Sequence, residues 1–404
     1  DQALALVEQQ VRPKSPVQLP VSKALGLLLA EDVASDVDSP PHDKSLVDGY
    51  AVAAGDLAGG EARLKILEEV VAGAVPSLRV EKGAATRIMT GAPLPEGAAS
   101  VVMIEQTELA PGTDGSLGFV QIRAEKYSPG QNIMRRGASL RSGDVVLTAG
   151  HRLRPAEIGL LSEVGRSEVK VVPRPTVAVL PTGDELVEPA VRPAPGQIRN
   201  SNGPMLLALI DRAGGTPIEL GIGRDNRDDL LQKISAGLAA DVLVLSGGVS
   251  AGVLDLVPGI LAELGVQKVF HKLRLKPGKP IWFGVLDSDG ARKLVFGLPG
   301  NPVSSLVCFE LFVRPAIARM AGRPFAGLSA VRGRLTSEFV QRGERTTYYP
   351  AALEETSEGL AVRPLSWQGS ADLRGLAAAD ALVRFPPEDR TFAPGESVVA
   401  YRLG

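Results

Sequence analysis

The chain of 404 residues is long enough for two to four domains at roughly 150 residues each. Hydrophobic residues make up 44% and charged residues 22%, and 44 Lys and Arg against 46 Asp and Glu give a net charge of −2, which excludes a global electrostatic case for nucleic acid or an anionic membrane. The single cysteine, Cys308, excludes a disulfide framework and a cysteine zinc site and suits a reducing cytoplasm. His42, His151 and His271 are far apart and carry no metal spacing. No apolar run reaches the ~18 residues of a spanning helix, and no signal peptide is visible. The chain starts at Asp1 without methionine, so a few native residues are expected to be missing.

Residues 1–40 read as helix with breaks. Leu4, Val7 and Val11 share a helical face, Pro13 ends that helix, and Ser22 is expected to cap a second one through Leu28. Pro40-Pro41 fixes an extended segment, and Asp48-Gly49 reads locally as a tight turn into an alternating strand. Residues 60–133 are strand-rich, with turns at Gly73, Pro93-Leu94-Pro95, Gly97 and Pro111-Gly112, and suggest a small β-barrel or sandwich. Residues 134–172 contain a helix over 155–163 with Pro155 in its first turn. This stretch is expected to pair with residues 1–40, so that 41–133 is an insertion.

Pro173-Arg174-Pro175 reads as a linker into an α/β domain over 173–323. Three apolar runs there each end in a small, glycine-rich turn: Thr182-Gly183-Asp184-Glu185, Ser246-Gly247-Gly248-Val249-Ser250, and Leu298-Pro299-Gly300-Asn301-Pro302-Val303-Ser304. Short runs rich in Val and Leu are expected of parallel strands buried on both faces. The first and third turns are expected to lead at once into helices, the second into a helix near Asp255. Asn202 reads as an N-cap for a helix carrying Met205, Leu206, Leu209 and Ile210 on one face. The last helix opens at Asn301-Pro302 and runs through Cys308 towards Met320. The expected fold is a multidomain α/β protein with a doubly wound, mostly parallel sheet, and ligands of such sheets bind beyond the carboxyl ends of the strands. Residues 324–404 return to short strands and read as a small C-terminal β-domain.

The strongest local charge feature is Lys272, Arg274, Lys276 and Lys279, with Pro277-Gly278 bending the chain. Alone it reads equally as an anion site or a solvated strand edge. The free N–H groups expected at Asn301-Pro302, and the close backbone approach that Ser246-Gly247-Gly248 allows, favour a phosphate or oxyanion site. No turn matches the P-loop or the Gly-x-Gly-x-x-Gly dinucleotide pattern. Asp184, Glu185, Asp225 and Asp255 follow strand ends. Each alone reads as a helix-start carboxylate; beside the lysines they suit Mg²⁺, which takes one or two carboxylates plus substrate oxygens.

These motifs, with Asp48-Gly49-Tyr50-Ala51-Val52, Thr90-Gly91-Ala92-Pro93-Leu94-Pro95 and Lys276-Pro277-Gly278-Lys279-Pro280, resemble in order the molybdopterin molybdenumtransferase family (MoeA and the E domain of gephyrin). The likeness covers essentially the whole chain. It implies a molybdopterin-binding type of α/β domain, a mixed helical N-terminal domain (1–40 plus 134–172), an inserted β-domain (41–133) and a C-terminal small β-barrel (324–404). It also implies insertion of molybdate into adenylylated molybdopterin with Mg²⁺-dependent release of AMP, in a cytoplasmic homodimer. A molybdopterin adenylyltransferase and molybdenum-enzyme maturation proteins are the implied partners, with no nucleic acid and no membrane. Catalytic roles fall by resemblance on Asp48, Glu185, Asp255, Lys272 and Lys276, and the metal on Glu185, Asp225 and Asp255. The substrate is expected at Thr182, Gly183, Asp184, Ser246, Gly247, Gly248, Ser250, Lys279, Pro299, Asn301, Pro302 and Ser304. Asp48 is expected to reach in from the other subunit. The chain departs from the family at Ala138-Ser139, where an acidic pair is usual, at Val253-Leu254, at His42 and Lys44, and in the C-terminal domain near Tyr349-Pro350 and Arg374-Gly375. These departures also admit a non-catalytic paralogue that binds ligand or acts as a scaffold. A molybdopterin adenylyltransferase would share the α/β fold but has no need of residues 1–172 and 324–404.

Overall fold

The computed structural model describes residues 1–403 except 114, 125–127, 249–255 and 289. The chain forms two compact units. One comprises Asp1–Gln18, Gly26–Ala30 and Lys170–Gly404, and the other Leu19–Leu25 and Glu31–Val169.

The larger unit is built on a six-stranded sheet. In space the order is Thr216–Glu219, Thr176–Pro181, Val242–Ser246, Ala291–Leu298, Trp282–Ser288, Gln267–His271. The first four strands are parallel; Trp282–Ser288 runs antiparallel to them, and Gln267–His271, antiparallel to Trp282–Ser288, closes the edge. The Thr176–Pro181 and Val242–Ser246 strands are apolar on both faces because helices cover both. Val177, Val179, Val242 and Val244 pack with Leu206, Leu209 and Ile210 of the Asn202–Ala213 helix. Ala178, Leu180, Leu243 and Leu245 pack with Leu230 and Ile234 of the Arg227–Gly237 helix and with Ile260 and Leu261 of the Val257–Glu263 helix. This is the doubly wound arrangement that unbroken apolar strands predict.

Three local expectations are corrected. Residues 22–28 hold no α-helix: a 3₁₀ turn, Val21–Lys23, is followed by the Leu28–Leu29 strand, which pairs antiparallel with Val171 and Val172. Gly26, at φ +79°, breaks that helix pattern. The Thr182-Gly183 turn does not lead at once into a helix. A loop carrying the two-stranded parallel pair Leu186–Val187 and Ile198–Arg199 intervenes, and the helix starts only at Asn202. Asn202 is not the cap, because Ser201 holds that position and Asn202 is the first helical residue.

The helical run 302–320 contains a π-turn, Phe309–Val313, between Pro302–Cys308 and Arg314–Met320. Glu310, in that turn, is fully buried and is held by Arg212 and by Arg314, the latter at 3.0 Å.

The C-terminal strands close on themselves. Thr346–Thr356 pairs with Gly359–Pro364, which pairs with Ala330–Leu335, then Ser397–Arg402, then Ala381–Phe385, which returns to Thr346–Thr356. The result is a five-stranded barrel filled by Leu335, Ala351, Val362, Val383, Phe385 and Ala400. Leu275–Lys276 adds to this barrel as a parallel strand on Thr346 and Thr347, which lays the basic loop of the α/β domain against it.

The smaller unit carries a six-stranded sheet in the order Ala98–Met103, Gly49–Ala53, Ala84–Ile88, Glu61–Val70, Phe119–Arg123, Thr107–Ala110. Tyr50, Val52 and Val102 fill the core on one face, Ala51, Ile88 and Val101 on the other. Val33–Ala34 pairs with Val145–Leu147, and Lys44–Ser45 with Ile133–Met134, so segments on either side of this sheet return to one another. The Pro155–Glu163 helix forms with Pro155 in its first turn.

Candidate functional site

All three glycine-rich turns lie at the carboxyl end of the parallel strands and line one cavity of about 770 Å³. Thr182 and Gly183 contribute from the first, Ser246, Gly247 and Gly248 from the second, and Pro299, Gly300, Asn301 and Pro302 from the third. Backbone bonds lock the turns together: the Thr182 amide donates to the Ser246 carbonyl (2.9 Å) and the Gly247 amide to the Leu298 carbonyl (3.1 Å). Gly247 and Gly248 sit at φ +94° and +62°, and a Cβ on either would stand 2.6 Å from the Thr182 carbonyl oxygen or 2.7 Å from Thr182 Oγ1. Only glycine lets the backbone come this close.

Glu185 and Asp225 line the same cavity. The Glu185 carboxylate folds over Gly183, so that a Cβ there would meet Glu185 Oε2 at 2.2 Å. Asp184 lies outside the cavity lining and is exposed. It exchanges contacts with Asp225: the Asp225 amide donates to Asp184 Oδ1 (3.1 Å) and the Asp184 amide to Asp225 Oδ2 (3.3 Å). This reciprocal pair orients Asp225. Asp255, Ser250, Val253 and Leu254 lie outside the described residues. Among the described residues no cluster of three or more His, Cys, Asp or Glu could hold a metal by itself. Two carboxylates in one cavity fit Mg²⁺ all the same, because that ion completes its shell with water and substrate phosphate oxygens.

A second cavity of about 610 Å³ opens on the other side of the Pro299–Asn301 loop, between the α/β domain and the barrel. Lys276, Lys279 and Ser304 line it from the α/β domain, and Gln341, Arg345, Thr347, Tyr349 and Trp367 from the barrel. The lysines are exposed, while Ser304 is buried. Two backbone bonds shape the basic loop, Lys272 N–H to the Ile281 carbonyl and Leu273 N–H to the Lys279 carbonyl, both 2.9 Å. The four predicted cations do not act together. Arg274 pairs with Glu344 at 2.8 Å, and Lys272, at φ +66°, lines neither cavity. Ser370 ties the barrel to the loop: its Oγ accepts from Asn301 Nδ2 (2.8 Å) and its carbonyl from the Val303 amide (3.0 Å).

In the smaller unit, the Asp48-Gly49 and Thr90-Gly91 motifs meet. Asp48 Oδ1 accepts from the Thr90 hydroxyl (2.7 Å) and amide (2.6 Å), and these bonds hold its carboxyl below the usual carboxylate range. Asp48 is otherwise exposed.

Sequence reasoning missed the part played by Asn202. Its amide reaches Ser246 Oγ and the Gly300 carbonyl, both at 2.7 Å, bridging the second and third turns. No local pattern signals this, because the partners are 44 and 98 residues away. Asn202 Oδ1 and Thr182 Oγ1 are buried without a partner among the described residues, and both residues line the first cavity. Unpaired buried polar atoms in a cavity wall mark a place where a ligand or water completes the bonding. The arrangement can therefore hold an anion-bearing ligand and a hard cation in the first cavity, and an oxyanion among cations in the second.

Comparison with known proteins agrees with this architecture. Residues 1–165 match the MoeA N-terminal region (domain I and II), 178–319 a probable molybdopterin binding domain, and 332–403 the MoeA C-terminal region (domain IV). A molybdopterin molybdenumtransferase from Staphylococcus aureus (strain COL) is 34% identical over 98% of this chain and 93% of its own length. One from Staphylococcus epidermidis is 33% identical over 97% of this chain and 92% of its own length. A solved molybdopterin biosynthesis MoeA protein from Pyrococcus horikosii superposes with a TM-score of 0.80 at 34% identity, covering 100% of this chain and 98% of that one. With domain models along its whole length, relatives above 30% identity over nearly all of it, and the turns of a ligand cavity in place, the chain belongs to the MoeA family, the molybdopterin molybdenumtransferases of molybdenum cofactor biosynthesis.

Proposed function

We propose that the protein inserts molybdate into adenylylated molybdopterin and releases AMP in a Mg²⁺-dependent step. The observation that carries this reading is the pair of cavities flanking the Pro299–Asn301 loop, one with carboxylates and glycine turns, the other with lysines. In this reading the first cavity takes the pyrophosphate-bearing substrate. Thr182, Gly183, Ser246, Gly247 and Gly248 approach it with backbone and hydroxyl groups, and Glu185 and Asp225, with Asp255, would hold Mg²⁺. When bound, the ion would withdraw charge from the scissile phosphate. The second cavity takes molybdate: Lys276, Lys279 and Ser304 supply the charge and hydrogen bonds that a tetrahedral oxyanion needs, and Lys272 adds charge from outside. Pro299 and Pro302 stiffen the loop between the two substrates.

We further propose a cytoplasmic homodimer in which Asp48 is supplied to the site by the second protomer, served by a molybdopterin adenylyltransferase and by molybdenum-enzyme maturation proteins. Purified protein given adenylylated molybdopterin, molybdate and Mg²⁺ is expected to release AMP and to restore molybdenum-enzyme activity in a cell lacking its own insertase. No AMP release, with Glu185→Ala behaving like the parent, would overturn the reading and leave a non-catalytic ligand-binding paralogue.

A further inference from the structure

We infer that Asn202 is a positioning residue that fixes the polarity of the Ser246 hydroxyl, so that Ser246 donates its hydrogen to an anionic oxygen of whatever fills the first cavity. The inference deepens the proposed function and rests on its phosphate-bearing substrate.

Asn202 Nδ2 lies 2.7 Å from both the Gly300 carbonyl oxygen and Ser246 Oγ. A carbonyl can only accept, so the contact to Gly300 fixes which end of the amide faces the two turns. Both amide hydrogens are then used, one to each partner. Ser246 Oγ receives one of them on a lone pair, which leaves its own hydrogen to donate. No acceptor for that hydrogen is found among the described residues, although Ser246 is only 2% exposed and lines the cavity. Two further atoms in the same wall, Asn202 Oδ1 and Thr182 Oγ1, are also buried and unpaired. Asn202 is 8% and Thr182 3% exposed. Among the described residues, one hydrogen and two oxygens of this wall have no partner and glycine turns stand on either side, which leaves the place open to a ligand or water. The donating hydroxyl selects an acceptor, and the acceptor of the proposed substrate is a phosphate oxygen.

The test uses the full-length protein, with AMP as the probe, titrated calorimetrically. Ser246→Ala is expected to weaken AMP binding about tenfold. Asn202→Asp keeps the shape but reverses the polarity: its carboxylate would accept the Ser246 hydrogen and face the Gly300 carbonyl. It is expected to weaken binding at least as much, with part of the loss recovered relative to the parent between about pH 8 and about pH 5, as the new carboxyl takes up a proton and can donate again. Relief of charge repulsion on AMP would give the same recovery, so the double variant reads the polarity itself. The double variant is expected to bind no more weakly than Asn202→Asp, because both changes remove the same hydrogen. No AMP binding by the parent overturns the proposed function and this inference with it. Binding by the parent that Ser246→Ala and Asn202→Asp leave unchanged, or a loss in Asn202→Asp that does not depend on pH, overturns the inference alone. If Asn202→Asp fails to fold, Asn202→Ala takes its place, since it removes the same amide hydrogens, and AMP binding left unchanged in it overturns the inference.

Discussion

Gly183 illustrates how closely the site is set at single residues. Its φ of +144° is one that L side chains rarely adopt, and the Glu185 carboxylate occupies the space a methyl group would need. Gly183→Ala is therefore expected to displace Glu185 by about an ångström and to cut AMP release about a hundredfold. The check is steady-state turnover beside the thermal midpoint, which should move far less than activity. Asp241 lies away from the site and serves stability. Burial pushes its carboxyl up, but the Lys14 ammonium, at 2.5 and 2.6 Å, and the Thr176 amide and hydroxyl outweigh that and hold it below the usual range. The unfolded chain then binds the proton more readily than the folded one. The stabilisation is fully present above the unfolded value of about 4 and is lost as pH falls through the lower folded value. Asp241→Asn should cost about 2 kcal/mol at neutral pH. In urea melts the gap to the parent should close as pH drops below about 4.

At the scale of elements, the helices that carry the site are held by specific ends and partners. Asn226 caps the Arg227–Gly237 helix by accepting from the Asp229 amide at 2.9 Å. Asn226→Ala should lower stability by about 1 kcal/mol and leave turnover nearly unchanged. Glu310 is a stronger case. It is fully buried in the π-turn, and its arginine partners come from the Asn202–Ala213 helix and from the Arg314–Met320 helix. Glu310→Ala removes the shared counter-charge of two partly exposed arginines and leaves a cavity in the π-turn, and should cost about 2 kcal/mol in a denaturant melt. Arg212 lies in the last turn of the helix that Asn202 begins, so one element joins the Glu310 ion pairs to the cavity wall.

For the molecule as a whole, the proposed function gives the metal a role in the reaction and none in folding. Among the described residues no donor cluster is large enough to act as a structural metal site. Chelation is therefore expected to abolish AMP release, and added Mg²⁺ to restore it, while the thermal midpoint stays where it was. A chelator-induced fall in the midpoint would argue for a structural ion instead. The barrel is expected to matter to activity because it forms one wall of the second cavity and grips the Pro299–Asn301 loop through Ser370.

The sequence by itself determined what is local. Short, unbroken apolar runs ending in glycine turns specify parallel strands and a site at their carboxyl ends, since periodicity and backbone freedom are properties of neighbouring residues. Pro155 at a helix start and the short-stranded character of residues 324–404 were legible for the same reason. The motif order pointed to the family. Tertiary structure decided what depends on distant partners. A fair capping residue, Asn202, became a bridge because Ser246 and Gly300 lie within reach only after the sheet forms. Four clustered cations were divided, because Glu344 takes Arg274 while pairing of Leu275–Lys276 with the barrel puts Lys276 and Lys279 on a cavity. The segment 22–28 became a turn and strand because pairing with Val171 and Val172 outweighs a weak helical pattern that Gly26 interrupts.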